Sequence, residues 1–296
     1  MKRPLVFGEV LFDCFPDGSA VLGGAPFNVA WHLHGFGESP LFVSCIGDDQ
    51  TGAKVRAEMD AWGMDTAGLQ VDQEHPTGQV RITFEDGEPS YDIVPDQAYD
   101  HILAAVLPDM QTPPSFVYHG SLAMRGASAE ALDTLLARHA VSVFLDVNLR
   151  SPWWDVERVR AMMTRATWLK LNADELDKLA VASGDPLGQA RALIDQYGLE
   201  RVVLTRGKEG AVAIEADGEP ITIKPEAATR VVDTVGAGDA FASVLMLGLL
   251  RDWPLAVTLR RAQQFASSVV GLRGATVSDP AFYRHHLENW NRAHAS

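Results

Sequence analysis

The sequence predicts an α/β protein: a doubly wound, mostly parallel sheet flanked by helices, with a small β lid. Three observations lead there. Short apolar runs alternate with amphipathic segments along most of the 296-residue chain, two stretches break that rhythm, and beyond Asp239 the pattern becomes wholly helical. The runs LVFG at 5–8, LFVSCIG at 41–47, SFVYHG at 115–120, VSVFLDV at 141–147, TWLKL at 167–171 and RVVLT at 201–205 read as strands buried on both faces, the signature of a parallel sheet. Amphipathic stretches at 27–34, 52–62, 129–140, 156–164 and 187–197 supply the crossover helices. Three helices follow at 240–250, 254–272 and 280–292, and a further strand is expected at 211–214.

The stretches that break the rhythm are 10–22 and 69–93. In the second, Val80, Ile82 and Phe84 alternate with Arg81 and Thr83 ahead of Asp86-Gly87, which is the pattern of a β-hairpin. Ligands bind at the carboxyl edge of open α/β sheets, so both stretches are expected to cover that edge as a lid. The expected division is an α/β body of 1–9, 23–67 and 98–296 and a lid of 10–22 and 68–97. An apolar second face on the hairpin would drive self-association, so a homodimer through the lid is expected.

Composition narrows the function. A formal net charge of −14 disfavours a nucleic-acid partner, and 47% hydrophobic residues are ample for a core. Cys14 and Cys45 fit neither a disulfide framework nor a zinc motif, and no apolar stretch is long enough for a membrane span. A cytoplasmic enzyme acting on small molecules is the expectation, with no nucleic-acid and no membrane partner.

The stretch DTVGAGD at 233–239 carries the most chemistry. Glycines at the start of an apolar helix let unpaired N–H groups converge on an anion, and a carboxylate one residue later suits removal of a proton from a group attacking it. Gly236, Ala237 and Gly238 are the candidate anion hole and Asp239 the candidate base of a phosphoryl transfer to an alcohol. A tight strand-to-helix turn is the structural alternative. No third glycine completes GxGxxG after Gly236, where Phe241 stands instead, and no glycine-lysine-serine/threonine string is present. A dinucleotide oxidoreductase and a P-loop enzyme are therefore disfavoured.

Taken with GEVLFDCFPDG and LGGAPFNVAWHLHGFG near the N-terminus, and LDVNLR, LKLNADE and VLTRGKEGA in the middle, DTVGAGDAF resembles the PfkB, or ribokinase, family of carbohydrate kinases. Within that family the likeness is to bacterial fructokinases, and it runs from about residue 4 to 280. It implies a ribokinase-like fold, ATP with Mg2+, and a sugar whose primary hydroxyl is phosphorylated, fructose foremost. Other acceptors of the same class (2-keto-3-deoxygluconate, ribose, tagatose) and a non-catalytic sugar or nucleotide sensor are the alternatives.

The resemblance assigns Asp13, Gly24 and Asn28 to the sugar. Asn172, Thr205, Gly207, Gly210 and Gln263 go to the nucleotide, although Gln263 stands where many relatives have asparagine. It gives Asn172 and Glu175 a part in organising magnesium, while N-x-x-E is equally a helix capping box. Arg150 is placed to neutralise transferring charge or to form a surface ion pair, and TRGKEG is also readable as a hairpin turn. Relatives often bind a monovalent cation such as K+ beside the first aspartate of the block, here Asp233.

Overall fold

The computed structural model describes residues 3–85, 88–225, 235–272 and 274–292. The chain opens with β1 (Leu5–Phe7), turns through β2 (Leu11–Cys14) and β3 (Ala20–Gly23), and continues as α1 (Ala25–Gly35), β4 (Leu41–Gly47), α2 (Gln50–Trp62) and β5 (Leu69–Asp72). The hairpin β6 (Gly78–Glu85) and β7 (Glu88–Ile93) follows. Then come β8 (Val117–His119), α3 (Gly126–Arg138), β9 (Val143–Asp146), α4 (Val156–Met163), β10 (Trp168–Asn172), α5 (Ala173–Leu179) and α6 (Pro186–Tyr197). Strands β11 (Arg201–Thr205), β12 (Ala211–Glu215) and β13 (Ile221–Ile223) precede α7 (Ala237–Leu250), α8 (Leu255–Val270) and α9 (Pro280–Arg292).

All six predicted inner strands lie in one nine-stranded sheet of order β13-β12-β11-β10-β9-β8-β1-β4-β5, parallel from β11 to β5. Side chains alternate across it. Leu5 and Phe7 join the core under α3, α4 and α6, whereas Val6 joins the one under α1, α2, α7, α8 and α9. Both faces are covered, which is why the strands read as unbroken apolar runs. Helix ends follow local chemistry: the Asp49 carboxylate accepts from the Gly52 N–H at 2.6 Å at the start of α2, and Gly63, at φ 83°, ends it in the left-handed region. No helix among the described residues is long and apolar enough to cross a membrane.

The second sheet, of order β3-β2-β6-β7, is the lid. Leu69–Asp72, grouped with the lid by its position next to the hairpin, pairs instead with β4 and forms the edge of the large sheet. β13 was not anticipated, and Asp86-Gly87 lies outside the described residues.

The lid's inner face carries Leu11, Val80 and Ile93, all buried. Its outer face departs from expectation, because the side chains between them, Arg81, Thr83, Ser90 and Asp92, are exposed and polar, with Arg81 and Asp92 3.7 Å apart. Alternation placed the apolar set on one side only, so the wet apolar face that motivated a dimer is not found among these residues.

Candidate functional site

The strand order reverses at β1, whose chain runs to β4 on one side while β8 flanks it on the other. Carboxyl ends at such a reversal diverge and leave a crevice. Here it is a cleft of about 550 Å³ floored by Glu9, Asp146, Asn172 and Thr205 at the ends of β1, β9, β10 and β11, and roofed by Leu11, Val80, Tyr91 and Ile93 of the lid. Ile82, expected in the roof, is buried but does not line it.

Helix α7 points its N-terminus into this cleft. Gly236 caps it at φ 77°, and a Cβ there would collide with Ala275, so only glycine permits this turn. The first intrahelical bond runs from the Ala240 N–H to the Gly236 carbonyl at 2.8 Å, which leaves the N–H groups of the preceding turn without helical partners. Gly238 is different: a Cβ there would sit in ordinary contact with Lys170 Nζ at 3.6 Å. The ammonium of Lys170 therefore lies beside the anion nest.

Lys170 is buried in β10 and donates to both carboxylate oxygens of Asp146 at 2.8 Å, while the Tyr118 hydroxyl donates to Asp146 Oδ2 at 3.2 Å. Burial alone would lower the lysine's pKa, but the Asp146 carboxylate outweighs it and holds the ammonium above its ordinary value. The cation is thus permanent. It is also shared, because it opposes the burial of Asp239.

Asp239 sits in the first turn of α7, and Asn28 Nδ2 donates to its Oδ2 at 2.8 Å. Burial, reinforced by the Asp146 charge, pushes its pKa up to about 6, while Asn28, Lys170 and Arg150 pull the other way. Asn28 is delivered by α1, whose start hugs the end of β1: at Gly24, φ 109°, a Cβ would lie 2.7 Å from the Glu9 carbonyl oxygen. Asp13 approaches from β2, on the same lid face as Val80, and lines the cleft with Gly24 and Asn28.

Two acceptors are conspicuous. Glu9 is 2% exposed, and burial raises its pKa to about 7 against the opposing pull of Arg150 and Arg125. Its Oε2 and Asn28 Oδ1 are both buried without a hydrogen-bond partner among the described residues. Polar atoms of this kind normally find donors, and both residues face the cleft. A polyhydroxylated ligand supplies such donors.

Both readings of N-x-x-E have a footing. Asn172 Oδ1 accepts from the Glu175 N–H at 2.9 Å and Glu175 Oε2 from the Asn172 N–H at 2.8 Å, closing a capping box, while Glu175 Oε1 takes the Leu149 N–H at 2.8 Å. A carboxylate has about four lone-pair sites, so lone pairs remain for waters on a metal, and magnesium keeps several waters. The Asn172 and Glu175 side chains fit a water-mediated magnesium at the cleft wall.

Arg150 and Thr205 line the cleft. Gly207 and Gly210 lie on the β11–β12 hairpin turn, where a Cβ at Gly210 would meet the Ile223 carbonyl oxygen. Gln263 does not reach this cleft: it lines a separate hollow beside Lys224, Arg260 and His286 and contacts Ser267 Oγ at 3.3 Å. Asp233 lies outside the described residues.

Glu9 and Lys170 were missed as site residues. The signal existed for Lys170, a cation inside a strand whose neighbours Leu169 and Leu171 are wholly buried. It existed for Glu9 too, an acid directly after the apolar run LVFG at 5–8.

This fold and site define a kinase of small hydroxylated molecules, and comparison with known proteins agrees. The chain matches the description "pfkB family carbohydrate kinase" over residues 15–281, and it belongs to that family. It is 28% identical over 299 residues to the aminoimidazole riboside kinase of Salmonella typhimurium, covering 95% of this chain and 92% of the relative. To the fructokinase of Vibrio alginolyticus it is 27% identical over 286 residues, covering 90% and 91%. Among solved structures, a fructokinase with bound ATP from Xylella fastidiosa superposes with a TM-score of 0.85 at 22% identity, covering 98% of this chain and 100% of the other, a likeness of fold. The aminoimidazole riboside kinase of Salmonella enterica, complexed with aminoimidazole riboside and an ATP analogue, gives 0.82 at 26% identity, covering 96% and 99%.

The buried charges and the glycines lead to three expectations. Glu9 has a folded pKa above its ordinary 4.5, so its contribution to stability is full below that value and is lost as pH rises through about 7. Glu9→Gln should therefore be more stable than the parent at pH 8, by up to roughly 3 kcal/mol, and indistinguishable from it near pH 4.5 in urea titrations. Equal midpoints at both pH values would contradict the buried-acid assignment. Gly238→Ala should keep or slightly raise stability, by up to about 1 kcal/mol, yet lower kcat/KM on the order of tenfold to a hundredfold by crowding the nest. Gly236→Ala should instead lower the melting temperature, at a cost of about 1–3 kcal/mol.

Proposed function

We propose that the protein is an ATP-dependent sugar kinase that phosphorylates a primary hydroxyl, fructose being the leading acceptor. The observation that carries this is Asp239: a carboxylate with a raised pKa, held by Asn28 at the mouth of a glycine-built helix N-terminus inside a cleft. A carboxylate there suits a hydroxyl nucleophile, because near neutral pH it is ionised yet basic enough to take the proton as the new P–O bond forms. The N–H groups of Gly236, Ala237 and Gly238 would bind the equatorial oxygens of the transferring phosphoryl group, with Lys170 and Arg150 adding charge. Magnesium, held through waters by Asn172 and Glu175, would neutralise the nucleotide's phosphates. Thr205, Gly207 and Gly210 fit the nucleotide side, and a monovalent cation such as K+ at Asp233 belongs to the same reading.

The sugar end is formed by Asp13, Gly24 and Asn28, with the unpartnered Glu9 Oε2 and Asn28 Oδ1 as further acceptors. Tyr91 is half-exposed above them, a flat wall suited to a small ring. Free thiols at Cys14 and Cys45 are consistent with a reducing, cytoplasmic setting. A homodimer through the lid would have to use the open edges of β3 or β7, since the hairpin's outer face is polar.

Asp239→Asn should retain sugar and ATP binding while turnover falls roughly a hundredfold to ten-thousandfold. In the parent enzyme kcat/KM should decline as pH falls through about 6, and Asn28→Ala should move that limb upward because it removes a bond favouring the ionised form. Near-normal turnover in Asp239→Asn would remove the base assignment. For the acceptor, initial rates with fructose, ribose, tagatose, 2-keto-3-deoxygluconate, 5-dehydro-2-deoxygluconate, aminoimidazole riboside and adenosine should rank fructose first. A competitor exceeding it tenfold in kcat/KM ends the fructokinase reading and leaves the kinase intact. Light scattering should give twice the 32.2 kDa of one chain, and a monomer at micromolar concentration removes the dimer.

A further inference from the structure

Between α3 and α4 lies a hollow of about 300 Å³ that shares no lining residue with the catalytic cleft. Helix α3 begins at its wall, where Arg125, Gly126 and Ala129 belong to the lining. That start is uncapped: Arg125 holds the N-cap position without a side-chain bond to the first turn, and the turn contains no acidic residue. The partial positive charge of a thirteen-residue helix is thus left unanswered there.

Three arginines line the hollow, and they are not equivalent. Arg125 is committed, because its Nε and Nη2 donate to the Asp100 carboxylate at 2.9 and 3.0 Å. Arg165 is paired with Asp133, the one carboxylate on the lining among the described residues. Arg158 reaches across from α4 and donates through Nη1 to the Met124 carbonyl oxygen at 3.3 Å, one residue before the N-cap of α3, and it has no carboxylate partner among the described residues. In a chain of net charge −14, this uncapped helix start with an unpaired guanidinium beside it is a site for an anion.

A second observation asks for a different group. His119, at the end of β8, also lines the hollow and is 2% exposed. Its Nδ1 lies 2.8 Å from the Gly120 carbonyl oxygen, which can only accept, so Nδ1 carries the ring proton and Nε2 presents a lone pair. Burial, aided by Arg165, pushes the pKa of the ring down to about 4, and the neutral form prevails. Nε2 has no hydrogen-bond partner among the described residues. A buried acceptor of this kind calls for a donor. Leu132, Leu136 and Met162 add apolar wall.

We infer that this hollow is a binding site for a small hydroxylated phosphomonoester. The phosphate takes the Arg158 guanidinium and the N–H groups of the first turn of α3, a hydroxyl donates to His119 Nε2, and the carbon skeleton rests on the apolar wall. A phosphate suits the anion end because its several oxygens accept from a guanidinium and from backbone N–H groups at once. The hydroxyl is the part that an inorganic anion lacks. Arg125 connects this wall to the lid: its guanidinium lies over the Trp153 ring, 4.7 Å from the centre, and Trp153 Nε1 donates to the Ile93 carbonyl oxygen at 3.1 Å. Neither Arg158 nor His119 lines the catalytic cleft, so this inference does not depend on the kinase reading.

Titration of the nucleotide-free protein with glycerol 3-phosphate and with propyl phosphate, which lacks the hydroxyls, tests it by calorimetry and phosphorus NMR. The parent should bind glycerol 3-phosphate saturably in the millimolar range and propyl phosphate roughly tenfold more weakly. Arg158→Ala should weaken both by roughly tenfold or more, because a charge-assisted bond is lost. His119→Phe should erase the preference and bring glycerol 3-phosphate to the affinity of propyl phosphate, an effect that a merely structural role of the ring would not produce. Arg158 is exposed and its replacement leaves the core intact, so that arm decides the matter even where the buried His119 variant fails to fold. No saturable binding of glycerol 3-phosphate by the parent, equal affinity for the two probes, binding unchanged in Arg158→Ala, or a preference that survives in folded His119→Phe overturns the inference.

Discussion

One buried ammonium makes the rest of this site possible. Lys170 is enclosed with Asp146, and Asp239 and Glu9 are buried nearby with raised pKa values of about 6 and 7. Without the cation, Asp239 would lose hydration beside the Asp146 charge with less to oppose it, which favours its protonation rather than useful charge. A pair at roughly 4 Å with an effective dielectric near 20 is worth about 4 kcal/mol, comparable with the several kcal/mol needed to desolvate each ion. The Lys170–Asp146 pair therefore adds little net stability. Its value is positional: it keeps a positive charge 3.6 Å from the place a Gly238 methyl would occupy, beside the helix N-terminus.

Backbone geometry is the second constraint, and glycine carries it at two points. Gly236 in the left-handed region starts α7 against Ala275, and Gly24 lets α1 begin against the Glu9 carbonyl. These two starts fix the donor and the acceptor of the bond from Asn28 to Asp239, residues more than two hundred positions apart that meet at 2.8 Å. The Asp239 carboxylate is thus aimed by two helix N-termini rather than by a flexible loop, the kind of support that holds a side chain within a fraction of an ångström of one position.

Much of this architecture was legible because a parallel sheet covered on both faces leaves a plain signal. Each of the six apolar runs is a strand, and the amphipathic stretch at 187–197 is the helix Pro186–Tyr197, bounded by the Asp185 cap and Gly198. Leu69–Asp72 was misgrouped because alternation reports that a segment is half-buried, not which sheet it joins; that is decided by register against β4, far away in sequence. The helix start at Gly236 with Asp239 in its first turn was legible because glycines before an acid mark such a start. Glu9 and Lys170 were not, since their roles arise from burial and from neighbours brought by other strands.

Phosphoryl transfer asks for a small, backbone-heavy constellation, whereas sugar choice is spread over the lid, and this explains why the two differ in how firmly the chain defines them. The nest, the base and the Lys170 charge depend on one helix start and one strand. In the proposed reading, acceptor identity depends on whether hydroxyls reach Asp13, Asn28 and Glu9 together beneath Tyr91 and Ile93, which hang from the second sheet. Leaving a buried acceptor such as Glu9 Oε2 or Asn28 Oδ1 unmatched costs about 1–3 kcal/mol, enough to reorder sugars that differ by a single hydroxyl. The protonated form of Glu9 sharpens that choice, because below its pKa of about 7 it can donate as well as accept, and above it only accept. A kinase framework held rigidly by its helix starts can thus serve different acceptors through changes confined to the lid and to the carboxyl end of β1.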